Sequence, residues 1–418
     1  MTEDERALLQ RRTLRVLTMG QLAGGAALAS SITVGAFVIE QMLGQDTAWA
    51  GISTAAATTG TAVMAQLLAG VMRKRGRRPG LQIGYALATV GGVLSAIAVQ
   101  HQWLPVFLVG LFLFGNGQAA NLIARYTATD LALADERGRA MSRIVFASTF
   151  GAVLGPIAMI GPAEAAGQAL GFQKYTGPWL FSAVFFACAG VNIALRLRPD
   201  PLIASGGTVH DERVPRLRLV AAVRLIRQFP TARLALLAMI VTQATMVAVM
   251  AMTSVHLKLH GHEGISQVVV STHIAGMFAL APLVGRYLDR EGPLASLRLG
   301  SAALIAGSSM AALSGDLVFL LFPSLWLIGL GWSFGLIGGS NLLIQSVPPS
   351  ERVAVQGAAD LMMSSCGGLA GFSSGFIHRA VGFHMLANLA TVSVMALFLA
   401  VHGVMRTDRR RAVVEPAT

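Results

Sequence analysis

Lysine is almost missing from this chain: Lys74, Lys174 and Lys258 are the three among 418 residues. None stands in a Gly-x-x-x-x-Gly-Lys-Ser/Thr loop, so the nucleotide-triphosphate cradle that would power an ATP-driven machine is absent. His-Glu-x-x-His does not occur, which removes the usual zinc-hydrolase pattern. Cysteine is limited to Cys188 and Cys366, both inside apolar runs. Packed thiols fit that placement; a disulfide framework or a cysteine-bound zinc does not. Charge itself is scarce, at 12% of residues against 54% hydrophobic. A water-soluble chain of this length needs far more polar surface.

What is present is a series of apolar runs, each long enough to cross about 30 Å of hydrocarbon. They predict twelve spans: 16–39, 49–72, 80–101, 104–124, 144–160, 177–195, 234–257, 265–286, 297–314, 318–346, 355–376 and 383–405. The least marked boundary is the ninth to tenth, where Ser314-Gly315-Asp316 is the only break and Pro323 either kinks the tenth run or marks its start. Abundant glycine and alanine suit helices packed closely in lipid. The expected fold is therefore an all-α membrane protein. The first apolar run follows three acids and four arginines with no evident cleavage site, and reads as an uncleaved span.

Orientation follows from the bases. With the N-terminus in the cytoplasm, 29 of the 32 Lys and Arg fall on the inner side. Lys174, Lys258 and Arg379 are left outside. This positive-inside bias puts both termini in the cytoplasm of a cell membrane. It also accounts for the net charge of +12 without nucleic acid, since the bases face the anionic leaflet. Residues 196–233 form the longest hydrophilic piece and separate an N-terminal half, 1–195, from a C-terminal half, 234–418. From Arg216 onward its arginines have helical spacing among apolar residues, which suits either an interfacial amphipathic helix or a solvated linker.

The halves echo one another. Gly285-Arg-Tyr-Leu-Asp289-Arg290-Glu-Gly292-Pro293 lies between two spans, and Gly292-Pro293 supplies a turn followed by a helix start. A degenerate copy at 69–79 places Gly76 against Gly292, 216 residues apart. Asp135-Glu136-Arg137 answers Ser350-Glu351-Arg352 at an offset of 215. Both offsets point to a duplicated half of roughly 200 residues.

Gly-x-x-x-Asp-Arg-x-Gly between the second and third helices of a six-helix half resembles the signature loop of the major facilitator superfamily. The resemblance covers the whole chain in layout and about 40 residues in specific motifs. It implies two pseudo-symmetric six-helix bundles that rock about a midplane site. The fifth span carries Gly151-Ala-Val-Leu-Gly155-Pro156, similar to the bend motif of facilitators that export by antiport, although Ala158 and Met159 replace the usual following glycines. A packing kink explains the same residues. In the fourth span, the place of the arginine typical of proton-coupled members is Leu111, and the nearest base is Arg125 at the cytoplasmic end.

In this fold the first, fourth, seventh and tenth spans line the cavity. The resemblance therefore nominates Ser30, Thr33, Asn116, Gln118, Gln243, Met246, Trp332 and Phe334, a neutral set suited to amphipathic or aromatic solutes. Ordinary interhelix packing accounts for any one of them equally well. Titratable groups at depth are functional candidates. His273 and Glu40 are nominated for proton coupling, against a packing histidine and a wet carboxylate at a span end. His256-x-x-x-His260-x-His262-Glu263 on the outer side could ligate a metal or simply form a wet loop, and no metal site is assigned. For the cytoplasmic gate, the family's latch implies that Asp289 meets the fifth span near Arg143. Arg73, standing where the first copy would have its acid, is expected to pair with Asp360. The reading is a monomeric exporter of small amphipathic compounds in exchange for protons, not an enzyme, needing the bilayer and no cofactor. The alternatives are uptake of a small nutrient, a metal or metal-chelate carrier, and, from another class, a membrane receptor or scaffold.

Overall fold

The computed structural model describes residues 2–43, 51–154, 160–206, 219–262, 265–315 and 317–414. Among these the secondary structure is entirely helical. In chain order the helices are α1 (Glu3–Leu43), α2 (Gly51–Arg75), α3 (Arg77–His101), α4 (Leu104–Thr127), α5 (Arg137–Leu154), α6 (Ile160–Ala169) and α7 (Thr176–Arg196). There follow α8 (Pro201–Ala204), α9 (Leu219–Gln228), α10 (Pro230–Leu259), α11 (Ser266–Phe278), α12 (Ala281–Ala312), α13 (Leu321–Gln345) and α14 (Arg352–Val414).

Eight helical stretches among the described residues are long and apolar enough to cross a membrane. Two of them, Val268–Ala312 and Pro349–Arg406, run to 45 and 58 residues. About 20 suffice for one crossing. Each is broken by a glycine in the left-handed region: Gly292 at φ 82° and Gly382 at φ 80°. Pro293 then opens the second part of α12, where its fixed φ suits a first turn and its missing N–H is not needed. Pro323 marks a start rather than a kink, since α13 begins at Leu321. The fifth expected span falls across α5 and α6, with residues 155–159 outside the described set.

The chain divides into two compact units, residues 1–225 with 348–368, and residues 226–347 with 369–418. The first 17 residues of α14 thus belong with the N-terminal unit. In the first unit α4 packs on α2 and α3, α3 packs on α7, and α1 packs on α5 and α7. In the second, α13 packs on α12, α11 and α10. Helices α4 and α13 therefore hold equivalent places, as expected for a duplication.

The core of the first unit is an aromatic column. Phe107 and Phe114 meet Trp179 edge-on at 5.2 and 5.4 Å, and Phe114 meets Phe186 at 5.0 Å. Edge-to-face rings gain directional energy beyond the area they bury. That matters in lipid, where the solvent is as apolar as the side chains and packing must supply the association.

Candidate substrate cavity and buried ionic site

Between α1, α2, α4 and α7 the first unit holds a cavity of about 210 Å³. Phe114 and Trp179 give it aromatic walls, while Ser53, Thr58, Thr61 and Gln118 supply neutral polar groups. The described lining carries no charge. Thr61 donates its hydroxyl to the Gly115 carbonyl at 2.9 Å, which ties α2 to α4 beside the cavity. Among the described residues the indole nitrogen of Trp179 is buried without a hydrogen-bond partner. A buried donor left unpaired costs about 1–3 kcal/mol, so a ligand acceptor here would be rewarded. The space takes one ring system, being smaller than the roughly 300–1,000 Å³ of a pocket for a whole drug-sized ligand.

Of the residues nominated for the cavity, Gln118 lines this space. Asn116 is fully buried and donates to the Leu113 carbonyl at 2.6 Å in its own helix. The side chains of Ser30, Thr33 and Glu40 lie outside the described residues. In the second unit Trp332 donates its indole N–H to Gln243 Oε1 at 2.7 Å and meets Phe278 edge-on at 5.6 Å. Met246 and Phe334 are buried, Phe334 against Tyr287 at 5.9 Å. Gly151 is buried on α5, whereas Gly155 and Pro156 lie outside the described residues. Trp179, Thr58 and Thr61 were missed because they stand on spans not counted as cavity-lining. The Gly177-Pro178-Trp179 helix start was their only signal.

The second feature is ionic. Arg77, in the first turn of α3, grips Asp130 with two bonds, Nε to Oδ2 at 2.8 Å and Nη2 to Oδ1 at 3.0 Å. The same Nη2 donates to Gln356 Oε1 at 3.0 Å. Fork geometry of this kind is the strongest arrangement available to arginine and carboxylate. Asp130 stands in the turn after α4, where burial pushes its carboxyl above the usual range while Arg77 pulls it down. One helical turn beyond Gln356 on α14, Asp360 Oδ1 accepts from Arg125 Nη2 at 2.5 Å. Tyr126 Oη accepts from Arg125 Nη2 at 3.1 Å, and the guanidinium lies 4.3 Å over the Tyr126 ring. Arg125 and Asp360 are 1% and 0% exposed. Two arginines, from α3 and α4, thus hold one face of the start of α14, all within the first unit.

This corrects the expected partner of Asp360. Arg125 takes the carboxylate, and Arg73 stands half-buried at the end of α2 beside Lys74 and Arg75. Helix α4 continues to Thr127, so Arg125 lies in its last turn under α14. Asp289 and Arg143 belong to different units. His273 is fully buried, with Nδ1 2.7 Å from the Leu325 carbonyl and Nε2 without a partner among the described residues.

Comparison with known proteins places this geometry. Residues 21–372 match the family model of the Major Facilitator Superfamily. The uncharacterized MFS-type transporter YdeG of Bacillus subtilis (strain 168) is 35% identical over 95% of this chain and 92% of its own length. The riboflavin transporter RfnT of Brucella anthropi is 27% identical over 94% of this chain and 95% of its own. Among solved structures, the human organic anion transporter MFSD10 superposes with a TM-score of 0.78 at 14% identity, covering 94% of this chain and 99% of that one. At that identity the likeness speaks for the fold alone.

Proposed function

The chain belongs to the major facilitator superfamily and is a multi-pass membrane transporter, not an enzyme; from that premise we propose that it exports small amphipathic compounds in exchange for protons. It does so as twelve spans in two six-helix halves, 1–195 and 234–418, joined through 196–233. Both termini face the cytoplasm, and the protein works as a monomer in the cell membrane. The observation that carries the substrate class is the cavity beside Trp179, aromatic, uncharged and offering one orphan donor. An organic anion would want a buried base there and a sugar more hydrogen-bonding groups. Gln243 and Trp332 supply a comparable aromatic and amide pair from the second unit.

Protons are carried by His273 and Glu40 in this proposal. The unpartnered Nε2 of buried His273 supports it as a group that can take and release one. The cytoplasmic gate uses Asp360 with Arg125 in place of Arg73, together with Asp289 and Arg143. Such pairs bias the balance of transporter states and do not touch the substrate.

A second reading is uptake of a small nutrient, favoured by the similarity to a riboflavin transporter over 94% of the chain. A flavin is itself amphipathic and heteroaromatic, so the same cavity suits both. Inside-out vesicles with an acidic lumen separate the two directions. Export predicts accumulation of an amphipathic dye there, abolished by a protonophore. Accumulation of riboflavin confined to right-side-out vesicles with an acidic exterior would replace export by uptake.

A further inference from the structure

The last turns of α2 and the start of α3 flank an open groove of about 400 Å³. Leu67, Gly70 and Val71 of α2 and Ile83 of α3 form its apolar part, and Arg73, Lys74 and Arg75 line it where α2 ends. Leu67, Gly70, Val71 and Lys74 recur at steps of three and four, so they share one helix face and run about 10 Å along it. That face looks outward: Leu67 is 55% and Ile83 37% exposed. Gly70 makes the room, because a Cβ added to it would meet nothing within 4 Å. All of these residues belong to the first unit.

Nothing in the protein neutralises these bases. Among the described residues the ion pairs are Arg77 with Asp130 and Arg125 with Asp360, so Arg73, Lys74 and Arg75 meet no carboxylate at salt-bridge distance. Asp200, beside the turn at Gly76, accepts from the backbone amides of Arg78 and Leu202 and lies outside the groove lining. The repeat supplies an internal comparison. At the offset of 216, Arg73-Lys74-Arg75 answers Asp289-Arg290-Glu291, and Gly70 answers Arg286. Both stretches end a helix at a glycine of the same backbone shape, yet only the first carries three successive bases and a glycine one turn before them. A helix end at this place in the repeat therefore does not need three bases to satisfy the positive-inside bias.

We propose that this groove binds one anionic phospholipid, its phosphate held by Arg73, Lys74 and Arg75 and one acyl chain laid over Gly70 between Leu67, Val71 and Ile83. The groove has the two chemistries of such a lipid, charge at the helix end and hydrocarbon along the helix face. Guanidinium and ammonium groups both take phosphate, and basic pockets between spans are where lipid headgroups settle. The space falls within the roughly 300–1,000 Å³ of a ligand pocket. A soluble phosphate would use the bases and leave the apolar face bare, whereas a lipid covers both. In the proposed orientation the groove opens on the inner leaflet, whose lipids carry the negative charge. The site is separate from the cavity beside Trp179, and binding here neither requires nor tests the proposed export.

The test is native mass spectrometry of the purified, delipidated, full-length protein titrated with phosphatidylglycerol, and separately with phosphatidylcholine of the same acyl chains. The expected result is one phosphatidylglycerol held per chain in preference to phosphatidylcholine. A base near a charged surface is worth about five-fold, so Arg73→Gln, Lys74→Gln and Arg75→Gln together should weaken phosphatidylglycerol about a hundred-fold. Gly70→Leu keeps every charge and fills the groove, and leucine suits a helix better than glycine, so the fold is spared. It should weaken binding about ten-fold, the worth of about two buried methylenes. Arg290→Gln, at the corresponding place in the second copy, should bind as the parent does, and glycerol phosphate should not displace the lipid. Parent-like affinity in the triple variant or in Gly70→Leu overturns the site. Equal binding of the two lipids by the parent, displacement by glycerol phosphate, or a loss in Arg290→Gln as large as in the triple variant does the same.

Discussion

Asp360 places one carboxylate oxygen on Arg125 and leaves the other, Oδ2, buried without a hydrogen-bond partner among the described residues. A pair so desolvated contributes little net stability, yet removing one member strands the other charge at a cost of about 3–5 kcal/mol. Asp360→Asn should therefore lower the unfolding temperature of the purified protein markedly. Arg125→Leu combined with Asp360→Leu should recover most of the loss, because the charges leave together. Arg73→Ala, at a half-buried position, should change little. Thermal unfolding followed by tryptophan fluorescence decides. If Asp360→Asn is as stable as the parent, the ion pair does not hold the start of α14. The sequence marks Asp360 as an acid inside an apolar run, which is why it stood out. Its partner was not legible, because 235 residues separate them and only tertiary packing brings α4 under α14. Helix periodicity reports which residues share a face, not which helix covers that face.

Turns are a different matter, since their chemistry is local. Gly292-Pro293 and its counterpart Gly76 were readable as helix starts, and both adopt the same backbone: φ 82°, ψ 170° at Gly292 and φ 90°, ψ 175° at Gly76. The second echo holds as well, for short 3-10 turns cover Ala134–Glu136 and Pro349–Glu351, each leading into an arginine that opens a helix. A side chain at positive φ with ψ near 170°, a region almost reserved for glycine, costs about 1–3 kcal/mol. At Gly292 a Cβ would meet open space, so Gly292→Ala should lose about that strain alone. At Gly76 a Cβ would run into the Asp200 carboxylate, whose Oδ2 accepts from the Arg78 amide at 2.7 Å. Gly76→Ala should therefore be clearly the more destabilising of the two in the same thermal assay. Equal losses would mean that Asp200 yields freely and that its hold on the α3 N-terminus is weak. That hold was not foreseen, because Asp200 comes from 122 residues further along the chain. Within the hydrophilic stretch from Arg216, a helix forms at Leu219–Gln228, α9, whose arginines recur among Leu, Val and Ile at helical spacing.

For the whole molecule, composition carried the class, and the orientation proposed here rests on the bases. A 29-to-3 division of Lys and Arg exceeds anything that a few misplaced span ends could reverse. Each boundary moves one or two residues across the membrane, whereas inverting the protein would place the eight bases of 196–233 outside at once. The two units do not coincide with the two sequence halves, because residues 348–368 belong with the first. Topology is indifferent to that, since it depends on which loops lie on which side and not on which bundle a helix joins. Gln173 and Ser205 make the decisive pair. Gln173 is exposed in the turn between α6 and α7, and Ser205 is exposed at the end of α8, with one membrane-crossing stretch, Thr176–Ala204, between them. Cys188 and Cys366 are first replaced by alanine to remove background reactivity. A membrane-impermeant maleimide applied to intact cells should then label Gln173→Cys and spare Ser205→Cys, and permeabilised cells should label both. The reverse pattern would invert the protein. Labelling of both residues in intact cells would mean that α7 does not cross, and the twelve-span reading would fail at its sixth span.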